Sequence, residues 1–338
     1  MSEQMLVTGV ANGAAGSNGA VLRADSVSKF FPVRGGFGRP GGQVHAVDSV
    51  SVTVAPRETL GLVGESGSGK TTLGWTVARL HEPTAGRIEF EGRDISHLGR
   101  SALKAVHRRL QMIFQSPWTS LDPQFSIGNT LAEPLEIHGV GTRRTREERV
   151  EELLGMVGLR PADRYRYPHE LSGGQRQRVG IARAIALEPS FVVADEPTSS
   201  LDVSVQAQIV NLLQDLQERL GLSFLFITHN LHLVRRISHR IAVMYLGRVV
   251  ESGPAEELFR RPLHPYTTAL VASKSAGFSG RRVVLQGEIP SPLNPPSGCY
   301  FRTRCPIAKE RCALEYPPLA EVESGRAVAC FYPGEAAL

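Results

Sequence analysis

The chain has 338 residues, 41% of them apolar, a net charge of +5 and a pI near 9.2. This is enough for one large globular domain and a smaller one. The mild basic excess suits phosphate ligands, nucleic acid or an anionic membrane surface without choosing among them, and no run reaches the roughly 18 apolar residues of a membrane span.

In chain order, residues 1–20 carry neither a basic leader nor a sustained apolar stretch. They read as a Gly/Ala/Ser/Asn tail rather than a secretory signal, so the chain is expected to be cytosolic. Residues 21–34 and 44–55 read as strands around a Gly-rich loop, 35–42. Residues 59–63 read as a buried strand and 72–80 as a helix. Between them, Gly64-Glu65-Ser66-Gly67-Ser68-Gly69-Lys70-Thr71 fits GxxxxGK(S/T), the loop that wraps a nucleoside triphosphate. Its glycines let backbone N–H groups converge on phosphates at a helix N-terminus. Lys70 would reach the β- and γ-phosphates, and the Thr71 hydroxyl would hold Mg²⁺. Thr72, on the first helical turn, completes this candidate ATP-binding set. A Gly-rich turn that binds nothing is the plain alternative.

Residues 87–90 add a short strand. From 115 to about 178 charged amphipathic stretches dominate. Val150, Leu153, Leu154 and Val157 recur at helical spacing within 146–159, so this span reads as a helical insertion. From Phe191 strands and helices alternate: strand 191–195, helix 205–220, strand 222–228, helix 231–238, strand 240–246. That alternation implies a parallel sheet covered by helices, an α/β fold. Past Gly253 the chain turns Pro-rich and irregular, and residues 256–338 read as a small appended module.

The strand at 191–195 ends in two carboxylates. Open α/β sheets present functional groups at the carboxyl ends of their strands. Asp195 is placed to hold Mg²⁺ through water, and Glu196 to polarise an attacking water. A solvated acidic turn is the alternative for the pair alone.

Leu171-Ser172-Gly173-Gly174-Gln175, followed by a basic helix, resembles the signature of ATP-binding cassette (ABC) ATPases, and the resemblance spans about residues 21–255. It implies an ABC-type phosphate-loop domain with an antiparallel β subdomain, a helical insertion and a small irregular Cys-containing C-terminal module. It also implies roles: Phe31 stacking on adenine; Gln115 sensing Mg²⁺ and facing the membrane subunits; Ser172, Gly173, Gly174 and Gln175 meeting the ATP of the opposite subunit. Ser200, Leu201 and Asp202 match the loop that crosses the dimer interface, and His229 matches the histidine that contacts the γ-phosphate. Mg²⁺ would be held through Thr71, Gln115 and Asp195. Taken singly, Phe31 reads equally as core, Gln115 as an exposed loop residue and His229 as a polar residue at a strand end. Two positions depart from the family pattern: Asn230 follows the histidine where Asp is usual, and Ser200 stands where Ala is frequent. Neither removes a reacting group. One phosphate loop per chain means that a second cassette must come from another copy or a paralogue.

The stretches from Arg260 (RRPLHPYTTALVAS) and from Gly287 (GEIPSPLNPPSGCYFRTRCP) resemble the tails of ATP-binding subunits of oligopeptide and dipeptide importers, a group that also serves nickel and glutathione. The resemblance implies an ATPase at the cytoplasmic face of the membrane that powers import of short peptides. Its partners would be a second cassette, two permease subunits and, indirectly, an extracytoplasmic peptide-binding protein. A soluble ABC ATPase acting on nucleic acid or ribosomes is the competing class. Such proteins carry two cassettes or a long coiled coil, absent here, and the arginine clusters at 100–109 and 143–149 read as solvated helix faces, so no nucleic-acid partner is expected. A catalytically dead regulatory cassette is disfavoured by the presence of Lys70, Asp195, Glu196 and His229.

Cys299, Cys305, Cys312 and Cys330 all lie in the last forty residues, with 5, 6 and 17 residues between them. That is neither a zinc-ribbon nor a ferredoxin spacing, and disulfides do not suit a cytosolic chain. Free thiols, a zinc site and an iron–sulfur site stay open on the residues. The importer group includes members with a 4Fe-4S cluster on such a constellation, so the resemblance implies one here. Arg302, Arg304 and Arg311 would then offset thiolate charge.

Overall fold

The structure, a computed structural model, describes residues 19–33, 42–116, 120–199, 201–274 and 287–336. Most of the expected tail and the Gly-rich loop lie outside that set. Strands β1 (Leu22–Val33) and β2 (Gly42–Val54) pair antiparallel. In β2, Val50, Val52 and Val54 recur at every second position and are buried, while the residues between them face solvent. After β3 (Thr59–Val63) and α1 (Lys70–Val77), strands β4 (Ala85–Phe90) and β5 (Arg93–Asp94) complete a four-stranded sheet in the order β2-β1-β4-β5. Its pairs are all antiparallel, as the resemblance implied.

Helix α2 (Arg100–Arg109) runs directly into β6 (Leu110–Ile113). The sequence reading has no strand there, because the four residues Leu110, Gln111, Met112 and Ile113 are too short a stretch to be told from a helix end by their period. Pairing decides it: Leu110 to Ile113 lie against Phe191 to Ala194. The helical insertion follows, with α3 (Ile127–Ile137), α4 (Arg143–Met156), two short 3₁₀ turns and α5 (Gly173–Ile185). Helix α4 begins three residues before the expected 146 because Thr142 and Thr145 form reciprocal caps. Val150, Leu153 and Leu154 are its buried stripe.

The second half supplies β7 (Phe191–Asp195), α6 (Val203–Leu220), β8 (Ser223–Ile227), α7 (Leu231–Ile237), β9 (Arg240–Tyr245) and β10 (Arg248–Pro254). Then come α8 (Ala255–Arg260), α9 (Pro265–Lys274), α10 (Arg311–Leu314), β11 (Ala320–Glu323) and β12 (Arg326–Val328). An eight-stranded sheet runs β11-β12-β10-β9-β3-β8-β7-β6. From β9 to β6 it is parallel. Its central strands β3, β7 and β8 are buried throughout and mostly apolar because both faces are covered. Leu60, Leu62, Phe191, Val193, Leu225 and Ile227 pack toward the antiparallel sheet and α1. Val192, Ala194, Phe224, Phe226, Ile241 and Val243 pack toward the helices of the other face. Phe224 and Phe226 are 1% and 0% exposed, and each such burial contributes about 2–3 kcal/mol.

The C-terminal segment joins this sheet. Residues Ala327 and Val328 of β12 lie opposite Ser252 and Glu251 of β10. Buried Glu251 accepts the N–H groups of Leu263 and His264 and pairs with Arg326 at 3.2 Å. Phe301, 1% exposed, sits among Tyr245, Tyr266 and His264. None of this is visible as apolar period: every residue of β11 is exposed.

Candidate active site

Strand order assembles the site. Strands β3, β8, β7 and β6 are parallel neighbours, so their carboxyl ends share one edge. The phosphate loop leaves β3, His229 follows β8, Asp195 and Glu196 end β7, and Gln115 follows β6. Residues distant in sequence therefore come within hydrogen-bond distance: Thr71 of Asp195, and Gln115 and His229 of Glu196.

The loop needs glycine where its backbone is crowded. Gly69, at φ +98°, caps α1, and a Cβ there would stand 2.0 Å from the Ala46 carbonyl oxygen. At Gly64 a Cβ would stand 2.1 Å from the Met244 carbonyl oxygen. Ser66 and Gly67 are exposed at the crest, and Ser68 is buried. Lys70 is 5% exposed; its Nζ donates to the carbonyls of Gly64 (3.0 Å) and Glu65 (2.8 Å) and to Ser68 Oγ (3.3 Å). Burial pushes its ammonium below the ordinary lysine value, against the pull of Glu196, Asp195 and Glu65.

Thr71 Oγ1 donates to Asp195 Oδ1 at 3.0 Å, and Trp75 Nε1 to Oδ2 at 3.3 Å. Burial raises the Asp195 carboxyl above its usual range, and these two donors oppose the rise. The Thr71–Asp195 oxygen pair is the hard donor set that Mg²⁺ takes. Thr72, on the same turn, is partly exposed. Trp75 is missing from the sequence reading, since an aromatic on a helix after the loop reads as core.

Glu196 is held from both sides. Gln115 Nε2 donates to Oε2 at 2.8 Å, and His229 Nδ1 stands 3.0 Å from Oε1. Its backbone sits at φ +44°, a left-handed conformation that costs a non-glycine residue about 1–3 kcal/mol. Phe31 takes no part in these hydrogen bonds but adjoins them through His81, whose ring stands 5.3 Å from that of Trp75. The Phe31 ring faces the Lys29 ammonium at 5.1 Å and the His81 ring at 5.5 Å. The adjacent Phe30 stacks on His45 at 4.3 Å, and Ala46 next to His45 is the residue crowding Gly69. Sequence reading did not single out that pair.

Ser172 caps α5: its Oγ accepts the Gln175 N–H, and Gln175 Oε1 accepts the Ser172 N–H. Gly173 and Gly174 face Leu201 and Val205. Ser172 is exposed, and among the described residues no hydrogen bond joins it to the phosphate loop. Leu201 and Asp202 lead into α6, with Leu201 packed on the core. Ser200 lies outside the described residues.

Residues 47–199 match the family model for ABC transporters, and residues 250–312 match the model for the oligopeptide/dipeptide transporter C-terminal region. The oligopeptide transport ATP-binding protein AppF of Bacillus subtilis (strain 168) is 50% identical over 92% of this chain and 96% of its own length. This chain belongs to the ATP-binding subunits of oligopeptide/dipeptide ABC transporters. A probable peptide ABC transporter ATP-binding protein of Sinorhizobium fredii is 50% identical over 94% of this ABC subunit and 91% of its own length. Among solved structures, the dimeric ATP-binding cassette MJ0796, in a post-hydrolysis state bound to ADP and Pi, is 28% identical over 69% of this chain and 98% of its own, with a TM-score of 0.62. No helix among the described residues of this ABC subunit is long and apolar enough to cross a membrane.

The four cysteines of this ABC subunit are unpaired and line one small cavity, together with His264 and Phe301. The Cys299 N–H donates to the Cys312 carbonyl at 2.8 Å, which ties two of their segments together. Burial pushes the Cys299 and Cys330 thiols up to about 11, with the neighbouring cysteines adding to the rise. Among the described residues no group of three His, Cys, Asp or Glu is arranged to hold a metal ion. The three arginines expected to face the thiols are engaged elsewhere. Arg302 donates to Ser297, Arg311 pairs with Glu315, and Arg304 pairs with Glu65 of the phosphate loop.

Proposed function

We propose that this chain binds and hydrolyses ATP as one of two cassettes that power import of short peptides through two membrane permease subunits. Residues 21–255 form the motor and residues 256–338 the importer-type C-terminal module. The chain sits against the cytoplasmic face of the membrane through those permeases, with an extracytoplasmic peptide-binding protein as an indirect partner. The observation that carries the reading is the shared strand edge where Lys70, Thr71, Gln115, Asp195, Glu196 and His229 meet.

Each group has a task that its position allows. The loop N–H groups and Lys70 take the β- and γ-phosphates. Thr71 and Asp195, with Gln115, would hold Mg²⁺, which supplies charge neutralisation at the phosphate oxygens. Glu196 orients the attacking water, and His229 turns from Glu196 toward the terminal phosphate. Phe31 stacks on adenine. The exposed α5 N-terminus with Ser172, Gly173, Gly174 and Gln175 closes on ATP held by the mate's loop, and the Ser200–Leu201–Asp202 loop lies between the two protomers. ATP favours the closed dimer because those contacts exist only there. The dimeric, nucleotide-bound state of MJ0796 supports this arrangement.

Purification of the tagged chain from detergent-solubilised membranes tests the assignment. Two permease subunits and a second cassette should come with it, and the reconstituted assembly should take up short peptides only with ATP. A chain that copurifies with ribosomes or nucleic acid instead would end the importer reading.

A second reading concerns the cysteines, and their convergence on one cavity favours it. In that reading Cys299, Cys305, Cys312 and Cys330 would ligate a 4Fe-4S cluster with a structural role, although among the described residues they line one cavity without forming a metal-binding arrangement. When bound, such a cluster would stand in for disulfides as the covalent staple of the module, whose four cysteines are free. Anaerobic purification followed by iron and sulfide analysis tests it. A colourless, iron-free protein with all four thiols titratable would refute it.

A further inference from the structure

The phosphate loop is braced from outside the nucleotide-binding core. Each polar part of Glu65 has a partner. Its N–H donates to Tyr266 Oη at 2.8 Å, its carbonyl accepts from Lys70 Nζ at 2.8 Å, and its carboxylate receives both Nη atoms of Arg304 at 2.7 and 3.1 Å. Two of these partners lie beyond residue 255. The Arg304 side chain is 5% exposed and that of Glu65 25%. Arg304 is itself fixed: its N–H donates to the Phe301 carbonyl, and Phe301 is wedged against Tyr245 and Tyr266.

We infer that Arg304, with Tyr266, is a positioning residue for ATP binding, held out from the C-terminal module to neutralise and orient Glu65 of the phosphate loop. The inference rests on ATP being the ligand of that loop. A triphosphate brings negative charge onto a loop that already carries the Glu65 carboxylate. Paired in a fork with a guanidinium, that carboxylate is neutralised and turned toward the module. Unpaired, it repels the incoming phosphates and is free to swing over them. The fork also removes conformations that the loop would otherwise lose on binding. Arg304 touches no reacting atom, so its effect falls on binding and not on the chemical step. The module therefore acts on the phosphate loop through one ion pair and one tyrosine hydroxyl.

The test measures ATP affinity, KM and kcat on the full chain in its assembly. Arg304→Met should raise Kd and KM for ATP about tenfold, which is about 1.4 kcal/mol, with kcat unchanged within about twofold. Arg304→Lys should recover part of the loss, because it restores charge without the fork. Adding Glu65→Gln to Arg304→Met should bring affinity back toward wild type, since no carboxylate is left to repel. Lys309→Met, which breaks an ion pair of the same module with Glu335, should leave Kd unchanged. Tyr266→Phe, which deletes only the hydroxyl, carries the test should Arg304→Met fail to fold; it should raise Kd severalfold. The inference is overturned by a Kd for Arg304→Met or Tyr266→Phe equal to wild type. It is also overturned by an equal loss in Lys309→Met, or by an Arg304→Met effect as large with Gln at position 65 as with Glu. A wild-type chain that binds no ATP would overturn the ATPase reading itself, which the wild-type arm reports separately.

Discussion

Replacing Glu196 with Gln removes one negative charge at the centre of the site and almost nothing else. The side chain is 15% exposed and bridges Gln115 at 2.8 Å and His229 at 3.0 Å. A glutamine of the same shape can accept from Gln115 and pair with the other tautomer of His229, so folded stability should change by less than about 1 kcal/mol. The backbone cost at φ +44° is common to both residues. What is lost is the basicity that draws a proton from the attacking water. A positioned general base contributes about 10²–10⁴-fold in rate, about 3–5 kcal/mol of barrier. ATP binding should persist or tighten, since Glu196 is one of the carboxylates facing Lys70. The assay pairs steady-state phosphate release at saturating Mg-ATP with light scattering. Turnover should fall at least a hundredfold while an ATP-dependent dimer accumulates. Turnover within threefold of wild type, in a protein that melts normally, would show that Glu196 does not handle the water.

Lys70→Ala should act on binding instead, because it removes the buried ammonium under the loop; ATP affinity by calorimetry should fall at least about tenfold. Phe301→Ala opens a void among Tyr245, Tyr266 and His264 and should cost about 3–5 kcal/mol in denaturant unfolding, loosening the module that carries Arg304. His264 is fully buried, and burial pulls its imidazole down to about 3. The unfolded chain then takes up a proton near pH 6.5 that the folded chain refuses. This group's contribution is complete above pH 6.5 and shrinks by about 1.4 kcal/mol per unit as pH falls toward 3. In His264→Gln, whose amide oxygen can still accept the Tyr266 N–H, melting temperature should fall less steeply between pH 6.5 and 5 than in wild type.

What was legible in the sequence is what local chemistry dictates. The phosphate loop demands glycines at Gly64 and Gly69 because carbonyls crowd them, and a spacing records that demand. Asp195 and Glu196 were legible because an apolar run ended on them. The signature, Leu171 to Gln175, was legible as a resemblance at the head of a basic helix, and the reciprocal cap of Ser172 with Gln175 appears only in the structure. Contacts between distant segments were not legible. Glu65 and Arg304 are 239 residues apart, and nothing near Arg304 distinguishes an arginine that faces thiolates from one that faces a carboxylate. Strand β6 was hidden because four residues are too few to show a period, and β11 and β12 because their pairing is to β10 and to each other, with every residue of β11 exposed. The likeness to peptide-importer tails was legible in the segments 260–273 and 287–306, within the 250–312 that match the family model, but without the contacts that tie the module to the motor.

The central claim is that two protomers clamp each ATP, the loop of one against the α5 N-terminus of the other. Its most direct test is the structure of the Glu196→Gln assembly with Mg-ATP and whichever second cassette copurifies. Ser172 Oγ should lie within hydrogen-bond distance of the γ-phosphate held by the mate's loop. A well-ordered ATP complex in which Ser172 meets no nucleotide would contradict the account.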